Sequence, residues 1–563
     1  MVHSHLSAWL QNSAAFTSSF LRQRSALWLV MLLLGLLVLV GHQTLAPIDR
    51  DEARFSQASR QMIDTGDFIT IKFQDEYRAK KPAGIYWLQS LSAGILGKDE
   101  IANYRLPSLA GYLASFCLMI VLARMMNLRG WGGLAPILSA LLLASSFVVF
   151  AEAHLAKTDS VLLALILWQQ IALWDIYRRR FDGQAGAPVN QFWIALAAGV
   201  LIKGPIAPLV AAGTVISLCL FDRQINLLRY LRFMRGLLIS ALIIAPWAVS
   251  VQIATQGAFL DIAIKADFLA KVQSGQESHG APMGTYLLLL PLLAFPASLF
   301  MGRLALLGGQ IFKRDKGRFA IAWLISYWVM IELTPTKLPH YILPALPALW
   351  LLVVMCFTLP EQMTRWRHYL GYALSAIAGI AGLAFALFLG YGALRFGGTG
   401  AGEAFFLSLF VILLTSALLY GFWRWMANPQ SGLMALLLVL GSFIHMVIIG
   451  GVIASSDRLH VSTRLADEIS GLKGKPALIA AAGYHEPSMV FLLGRDTLLI
   501  SETEAALLLA EADDALAIIE GRKLDAFKQV IQELSLDVKQ VGEVSGFNIS
   551  KGRDVRLYLF RRS

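Results

Sequence analysis

The chain has 563 residues, of which 57% are hydrophobic and only 15% are charged, and its mean hydropathy is +0.61. Soluble domains carry about 25% charged residues, so this composition excludes an ordinary soluble protein and predicts that most of the chain lies in lipid. The formal charge of +11 does not indicate nucleic-acid binding, because the basic residues form short clusters between apolar runs. The cysteines Cys117, Cys219 and Cys356 lie inside apolar runs without metal-ligand spacing, so we expect no disulfide framework and no thiol zinc site.

About 13 apolar runs approach the length that a membrane-spanning helix needs, which is about 20 residues. No small-residue cleavage site follows the first run, so we expect it to be an uncleaved membrane helix. The pair between 191 and 221 is the least regular, because Pro205 and Pro208 interrupt it. The candidate spans are 27–45, 101–124, 133–151, 160–178, 191–203, 204–221, 234–254, 283–308, 318–333, 340–358, 368–391, 404–424 and 432–455.

Basic residues occur in every second connection between these spans. Lys and Arg accumulate on the cytoplasmic side of membrane proteins, so the pattern places the N-terminus and these connections in the cytoplasm. The basic residues are Arg22, Arg24, Arg124, Arg129, Arg178, Arg179, Arg180, Arg223, Arg229, Arg232, Arg235, Lys313, Arg314, Lys316, Arg318, Arg365 and Arg367. The opposite face then carries 46–100, 152–159, the turn near Lys203, 255–282, 334–340, 392–403 and everything after 456.

The tail is predicted to be a small soluble α/β domain, because short apolar runs alternate in it with helix-like stretches. We therefore divide the chain into a transmembrane domain, 1–456, with an external loop at 46–100, and a soluble external domain, 457–563. The tail has no nucleotide-binding glycine loop and no nucleophile elbow, which favours a lid or an acceptor-docking module.

The first external loop is rich in charged and aromatic residues. Its first part, from Glu52 to Ile63, has helical spacing and is predicted to lie in the interface plane, and Pro82 starts a second such helix. Asp51 directly precedes the first of these helices. An isolated acidic residue at a helix start is more often a simple helix cap than a catalytic group, so Asp51 alone does not define a site.

Further ionisable residues fall on the same external face, namely Asp159, Lys203, Lys337 and His340, together with Tyr341. Ionisable groups at membrane depth are costly unless they are paired or line a wet cavity, so their recurrence on one side indicates a shared polar site. For Lys203 alone, the alternative is that its side chain extends to the lipid headgroups.

A donor that carries its group on a lipid phosphate would explain these residue types. Cations neutralise the phosphate as it departs, while a carboxylate takes the proton of an attacking hydroxyl or stabilises positive character on a sugar ring. Outside the cell there is no nucleotide sugar or ATP, so the energy must arrive on a membrane-borne carrier, and the chain has no P-loop.

The motifs DRDEARF, KKPAGIYWL, KTDS, KGP and TKLPHYILP occur in this order within about the first 360 residues. Together they resemble the motifs of the bacterial C-type (GT-C) membrane glycosyltransferases related to the lipid A aminoarabinose transferase and to protein O-mannosyltransferases. The resemblance implies a mainly α, polytopic GT-C fold, an undecaprenyl-phosphate-sugar donor, an acceptor at the periplasmic face and a cavity beneath the interfacial helices.

The resemblance also assigns roles to individual residues. It implies that Asp51 and Asp159 are the two catalytic acidic residues, and that Arg54, Lys81 and Tyr341 lie at the donor and its phosphate. It places Lys337 and His340 beside these donor-binding residues, and it assigns Lys337 to the donor phosphate as well. Glu52, Lys80 and Lys203 are additional candidates without an assigned role.

One departure from the family concerns a metal. Aminoarabinose transferases have an acidic residue directly before the lysine that matches Lys81, and in that family this residue contributes to a bound metal ion, whereas this chain has Lys80. We therefore expect no metal ligands and no cofactor, and we interpret the loop histidine His279 as structural or exposed.

The resulting hypothesis is an inverting single displacement at the bacterial inner membrane, with lipid A or another glycolipid as acceptor and Asp51 as base. A protein O-glycosyltransferase of the same fold remains an alternative, as does a transporter or flippase of lipid-linked sugars, although no matched pair of broken helices suggests inverted repeats. The sequence leaves open whether the sugar is aminoarabinose, galacturonic acid or a neutral hexose.

Overall fold

The computed structural model describes residues 24–47, 50–180, 187–262, 280–358 and 364–563, together with parts of 13–21. Arg22 and His279 lie outside the described residues, as does the side chain of Arg24. The described chain is mainly helical and ends in a small α/β domain, which confirms the predicted fold class.

The first span and the polar loop after it are built from three helices and a short hairpin. Helix α1, Arg24–Thr44, is followed by α2, Arg50–Thr65, then by strands β1, Lys72–Phe73, and β2, Glu76–Tyr77, and by α3, Gly84–Leu96. Helix α2 has acidic residues in its first turn, where they are favourable at the positive end of the helix dipole. Both predicted loop helices are therefore present.

Helix α3 has one buried face and one exposed apolar face. Ile85 and Tyr86 are fully buried, whereas Leu88, Leu91 and Ile95 are exposed and recur at intervals of three and four residues. An exposed apolar stripe of this spacing is typical of a helix that lies in the membrane interface. The exposed stripe agrees with the predicted interfacial position of this helix, which stays a prediction.

The remaining helices before the C-terminal domain follow in chain order. They are α4 Ile101–Met125, α5 Ala135–Ala144, α6 Phe147–Ala153, α7 Asp159–Arg178, α8 Ala187–Lys203, α9 Ile206–Asp222, α10 Phe233–Ala254, α11 Thr285–Leu293, α12 Asp315–Leu333, α13 Leu346–Phe357, α14 Arg365–Phe396, α15 Ala401–Ala427 and α16 Ser431–Val447. Shorter helical turns are Trp131–Gly133, Asn226–Tyr230, Ala258–Asp261, Ala297–Leu306, Gly309–Phe312, Pro339–Ala345, Gly398–Gly400, Ile448–Ile453, Asp457–Leu459 and Gly521–Lys523.

Each predicted span coincides with one of these helices or with a broken pair of them. Within the described residues, 8 helices are long and apolar enough to cross a membrane, and the pair α5 and α6, bent by 66°, makes up to 9. Helices α8 and α9 are shorter apolar helices and meet at Gly204, whose φ of +64° favours glycine. Multiple spans are confirmed, whereas the count of about 13 stays a prediction.

Close helix contacts fix the polar end of the bundle. A Cβ on Gly111 of α4 would lie 2.6 Å from the carbonyl carbon and oxygen of Ser160 in α7, so only glycine permits this approach. A Cβ on Gly84 of α3 would lie 2.7 Å from the carbonyl oxygen of Leu201 in α8. These contacts hold the start of α7 against α4 and the end of α8 against the start of α3.

The C-terminal domain is a five-stranded sheet with the order β4-β3-β5-β7-β6. Strands β4, β3 and β5 are parallel, whereas β7 and β6 are antiparallel to their neighbours. Apolar clusters pack on both faces of the sheet, as expected for an α/β layer structure. Its elements are α17 Val461–Ser470, β3 Leu478–Ala482, α18 Pro487–Leu493, β4 Leu498–Leu499, α19 Glu502–Glu511, β5 Ala515–Glu520, α20 Leu524–Glu533, β6 Val538–Asn548 and β7 Arg553–Arg562.

Candidate active site

The charged residues of the loop converge on Asp51, in the first turn of α2. An oxygen of Asp51 lies 3.5 Å from a guanidinium nitrogen of Arg54 and 3.8 Å from one of Arg78. Desolvation alone would raise the pKa of Asp51, but the charges of Arg78, Lys157, Arg54 and Lys81 together lower it to about 2. Half of the Asp51 side chain remains exposed, so an ionised carboxylate faces open space among cations.

Arg78 is a site residue that the sequence analysis missed. Its side chain is buried, its Nε donates to the hydroxyl of Tyr86 at 3.1 Å, and its guanidinium lies 5.0 Å from the centre of the Phe55 ring. These contacts fix a planar cation beside Asp51, which is the geometry that favours recognition of phosphate oxygens. In the sequence, the role of Arg78 is indicated by its position three residues before Lys81.

Glu52 points away from Asp51 and is fully buried. It accepts hydrogen bonds from Nε and Nη2 of Arg105 at 2.7 and 3.0 Å, and from the backbone N–H of Ala156 at 2.9 Å. Arg105 also donates to the carbonyls of His42 and Leu45. The pair therefore ties α2 to the end of α1 and to the segment before α7, which is a structural task and not contact with a substrate.

A second cluster forms around Asp159 at the start of α7. Nζ of Lys203, at the end of α8, lies 2.6 Å from an oxygen of Asp159, and the hydroxyl of Thr158 donates to the other oxygen at 3.1 Å. The Lys203 ammonium also lies 5.5 Å from the centre of the Tyr341 ring. The pairing explains why Lys203 is tolerated between two apolar helices, and it favours a site role over headgroup contact.

His340 lies between two carboxylates in the same cluster. Its Nδ1 is 3.7 Å from Glu152 and its Nε2 is 4.0 Å from Asp159. Glu152 forms an ion pair of 2.9 Å with Lys157, and Lys157 in turn influences Asp51. The clusters around Asp51 and Asp159 therefore share one polar region, in which Glu152 and Lys157 are further residues that the sequence analysis missed.

Lys337 is not brought into this region. Its ammonium donates to the carbonyls of Ile331, Glu332 and Thr334 at 2.8, 2.6 and 2.7 Å, and it lies 5.5 Å from the centre of the Tyr286 ring. An ammonium has three donors, and the carbonyls at the end of α12 occupy all of them. Lys337 thus caps a helix end rather than facing the loop that carries Asp51.

Lys80 and Lys81 lie at the edge of the site, before α3. Nζ of Lys81 donates to the carbonyl of Lys80 at 2.8 Å, and its charge acts on Asp51. Lys80 is exposed.

Within the part of the chain that the structure describes, the residues at the site do not fit a divalent metal ion. Among the residues that the structure describes, no group of three or more His, Cys, Asp or Glu is placed to hold one. The carboxylates present are each engaged by a cation, since Asp51 faces Arg54 and Arg78 and Asp159 faces Lys203. An additional cation beside Asp51 or Asp159 would be repelled by the positive charge of these partners.

No family model matches the chain, but comparison with known proteins finds several that are similar in sequence. The undecaprenyl phosphate-α-4-amino-4-deoxy-L-arabinose arabinosyl transferase 1 of Pseudomonas fluorescens is 27% identical over 64% of this chain and 65% of its own length. The corresponding transferase of Pectobacterium atrosepticum is 25% identical over 64% of the chain and 65% of its own length. An uncharacterised protein of Aquifex aeolicus is 25% identical over 62% of the chain and 66% of its own length. The chain thus spans just under two thirds of the length of these curated relatives.

The solved structure of ArnT from Cupriavidus metallidurans bound to undecaprenyl phosphate is similar over 95% of this chain and 98% of its own, with a TM-score of 0.71 and 17% identity. The chain is therefore a polytopic membrane protein of the C-type (GT-C) glycosyltransferase fold, which confirms the resemblance seen in the motifs. In sequence it is similar to transferases named as aminoarabinose arabinosyl transferases.

Proposed function

We propose that the chain transfers a sugar from undecaprenyl phosphate to an acceptor at the periplasmic face of the bacterial inner membrane, with lipid A as the first candidate. The observation that carries the proposal is the convergence of Arg54, Arg78, Lys81 and Lys157 on the half-exposed carboxylate of Asp51 at one end of a membrane bundle. Such a cluster suits a lipid phosphate that arrives from the membrane and leaves with more negative charge. The proposal places the N-terminus in the cytoplasm and the domain boundary at 456 and 457.

The reaction is an inverting displacement at the anomeric carbon. An acceptor oxygen forms the new bond to that carbon, the bond from the carbon to the phosphate oxygen breaks, and the electron pair leaves with the phosphate, which gains one negative charge. Arg54, Arg78 and Lys81 stabilise this charge as it develops. A hydroxyl acceptor gives its proton to Asp51, whereas a phosphate acceptor is already anionic and Asp51 then orients it.

The second cluster serves the sugar end of the donor in this proposal. Asp159, held by Lys203, presents a fixed negative charge that stabilises positive character on the sugar ring as the bond to phosphate lengthens. Tyr341 provides an aromatic face beside Lys203 on which a sugar ring packs. His340 lies between Asp159 and Glu152 and separates these two carboxylates within the same cluster.

Mass spectrometry of lipid A and lipopolysaccharide, from cells with and without the protein, tests this function. We expect a mass increment of an aminopentose, a hexuronic acid or a hexose that is present only with the protein, and its size names the sugar. If lipid A and lipopolysaccharide are unchanged while the protein is present in the membrane, the lipid A assignment fails. A glycoproteome that changes in the same cells would then favour the protein O-glycosyltransferase.

A further inference from the structure

The C-terminal domain contacts the helix that carries Asp51 at the residue before it. Arg50 opens α2, and its Nε lies 3.4 Å from Oε2 of Glu486 in the connection between β3 and α18. Glu486 is buried, and its Oε1 accepts a hydrogen bond of 3.0 Å from Asn548 at the end of β6. The carboxylate of Glu486 therefore joins two parts of the C-terminal domain to the first residue of α2.

Helix α18 then follows α2 along its length. Nη1 of Arg60 donates to the carbonyl of Phe491 at 3.2 Å, and the Phe491 side chain is almost completely buried with its ring edge-on to Tyr104 at 5.7 Å. Beyond α18, Nε2 of Gln74 donates to the carbonyls of Arg495 and Thr497 at 2.9 and 2.7 Å. The contact is continuous from the start of α2 to the β1–β2 hairpin.

Helix α2 is also held by the membrane bundle, through the pair of Glu52 and Arg105. Helix α2 has 16 residues and only a few large apolar side chains, so its own sequence provides little stability in isolation. Its position, and that of Asp51 in its first turn, depends on the two bodies that clamp it.

We propose that the C-terminal domain positions the catalytic helix, with Glu486 and Arg50 as positioning residues for Asp51. This inference rests on the proposed function, because it concerns the geometry of the transfer step. Glu486 engages Arg50 and Asn548, so its role is to set where α2 begins. A displacement of Asp51 by about 1 Å costs on the order of 100-fold in rate, so a domain that only fixes this helix has a large effect on turnover.

A double-mutant cycle on the full-length protein tests this inference. The variants are Glu486→Gln, which keeps the size and the contact with Asn548, Arg50→Met, and the double variant. The assay measures undecaprenyl phosphate released in detergent, with a lipid extract of the source membranes as donor and lipid A as acceptor. We expect each single variant to lower kcat by about 10-fold and to leave the donor KM nearly unchanged. The kcat of the double variant should be no lower than that of the more impaired single variant. Arg50→Lys should retain most of the wild-type kcat.

Asp554→Asn provides the matched control. Asp554 joins the same domain to Arg395 of α14 at 2.6 Å and pairs with Arg458 inside the domain at 2.9 Å. No contact of Asp554 with α2 is described, so its loss should leave kcat unchanged. An unchanged kcat for Glu486→Gln, or a loss confined to the acceptor KM, would overturn the positioning role. Additive losses in the double variant would overturn it as well. Absence of release by the wild-type protein would instead count against the proposed function.

Discussion

Asp51 combines a low pKa with partial exposure, and this limits what it does in the free protein. A carboxylate with a pKa of about 2 is a weak proton acceptor at neutral pH, since an effective base has a pKa near the working pH. The cations that lower its pKa are also those proposed to bind the donor phosphate. When phosphate neutralises them, the pKa of Asp51 rises, and the carboxylate becomes a better base in the complex than in the free protein.

This coupling predicts a difference between two pH profiles. The profile of kcat/KM reports the free protein and that of kcat the complex with donor. We therefore expect the acidic fall of kcat to occur at a higher pH than that of kcat/KM. In the free protein the lowered pKa of Asp51 means that the carboxylate is protonated only at low pH. Donor binding raises this pKa, so in the complex protonation occurs at a higher pH. Measurement of initial rates over the acidic range, with a hydroxyl acceptor, provides the check, and coincident acidic limbs would contradict the coupling.

Removal of the carboxylate is the direct test of the residue itself. We expect Asp51→Asn to reduce transfer by at least about 100-fold, which is typical of the loss of a general base, while the amount of folded protein stays the same. The matched control is Asp64→Asn on the same helix, because Asp64 pairs with Lys98 at the exposed end of α2. Lipid A mass increments in cells that produce each variant are the measurement. Wild-type increments with Asp51→Asn would remove Asp51 from the mechanism.

At the scale of elements, the start of α2 depends on an ion pair inside the protein. Glu52 and Arg105 are both completely buried and form a bidentate contact, and Nη1 of Arg105 donates to two backbone carbonyls. Removal of one partner from such a pair leaves an uncompensated charge, whereas replacement of both by apolar groups is often tolerated.

We therefore expect Arg105→Met to lower the free energy of unfolding by about 3–5 kcal/mol, and the double variant with Glu52→Leu to recover a large part of the loss. Thermal unfolding of the purified protein in detergent provides the measurement. An additive second loss in the double variant would show that Glu52 contributes independently of Arg105.

The spans and the loop helices could be predicted from the sequence because each depends on local periodicity and length. The site was only partly predictable, since its contacts join segments that are distant in the chain. Asp159 and Lys203 were identified as ionisable residues at membrane depth, and the structure pairs them. Arg105 is also an ionisable residue at membrane depth, but it lies inside an apolar run whose composition predicts only a span. Lys337 was assigned to the phosphate from its motif, whereas its three donors are used by the end of α12.

On the scale of the whole molecule, the proposed orientation places the first loop and the C-terminal domain outside the cytoplasmic membrane. It also places the basic connections on the inner side, which agrees with the asymmetry of Lys and Arg between alternate loops. Exposed residues are available on both sides, so the orientation can be measured without disturbing the site.

We expect cysteines introduced at Lys98 and Lys551 to react in intact spheroplasts with a membrane-impermeant maleimide. Cysteines at Arg229 and Lys313, which are also exposed, should react only after the membrane is permeabilised. The background protein carries serine in place of Cys117, Cys219 and Cys356. Labelling of the inner pair in intact spheroplasts would reverse the orientation.

The most direct test of the account is the release of undecaprenyl phosphate by the purified protein, because this product is the same whichever sugar is transferred. The wild-type protein is mixed in detergent with a lipid extract of the source membranes and with lipid A, and lipid products are measured by mass spectrometry. We expect the wild-type protein to form undecaprenyl phosphate together with an equal amount of glycosylated lipid A, and the Asp51→Asn variant to form neither. Consumption of the lipid-linked sugar by the Asp51→Asn variant would contradict the proposed function. Absence of product from the folded wild-type protein would contradict it as well.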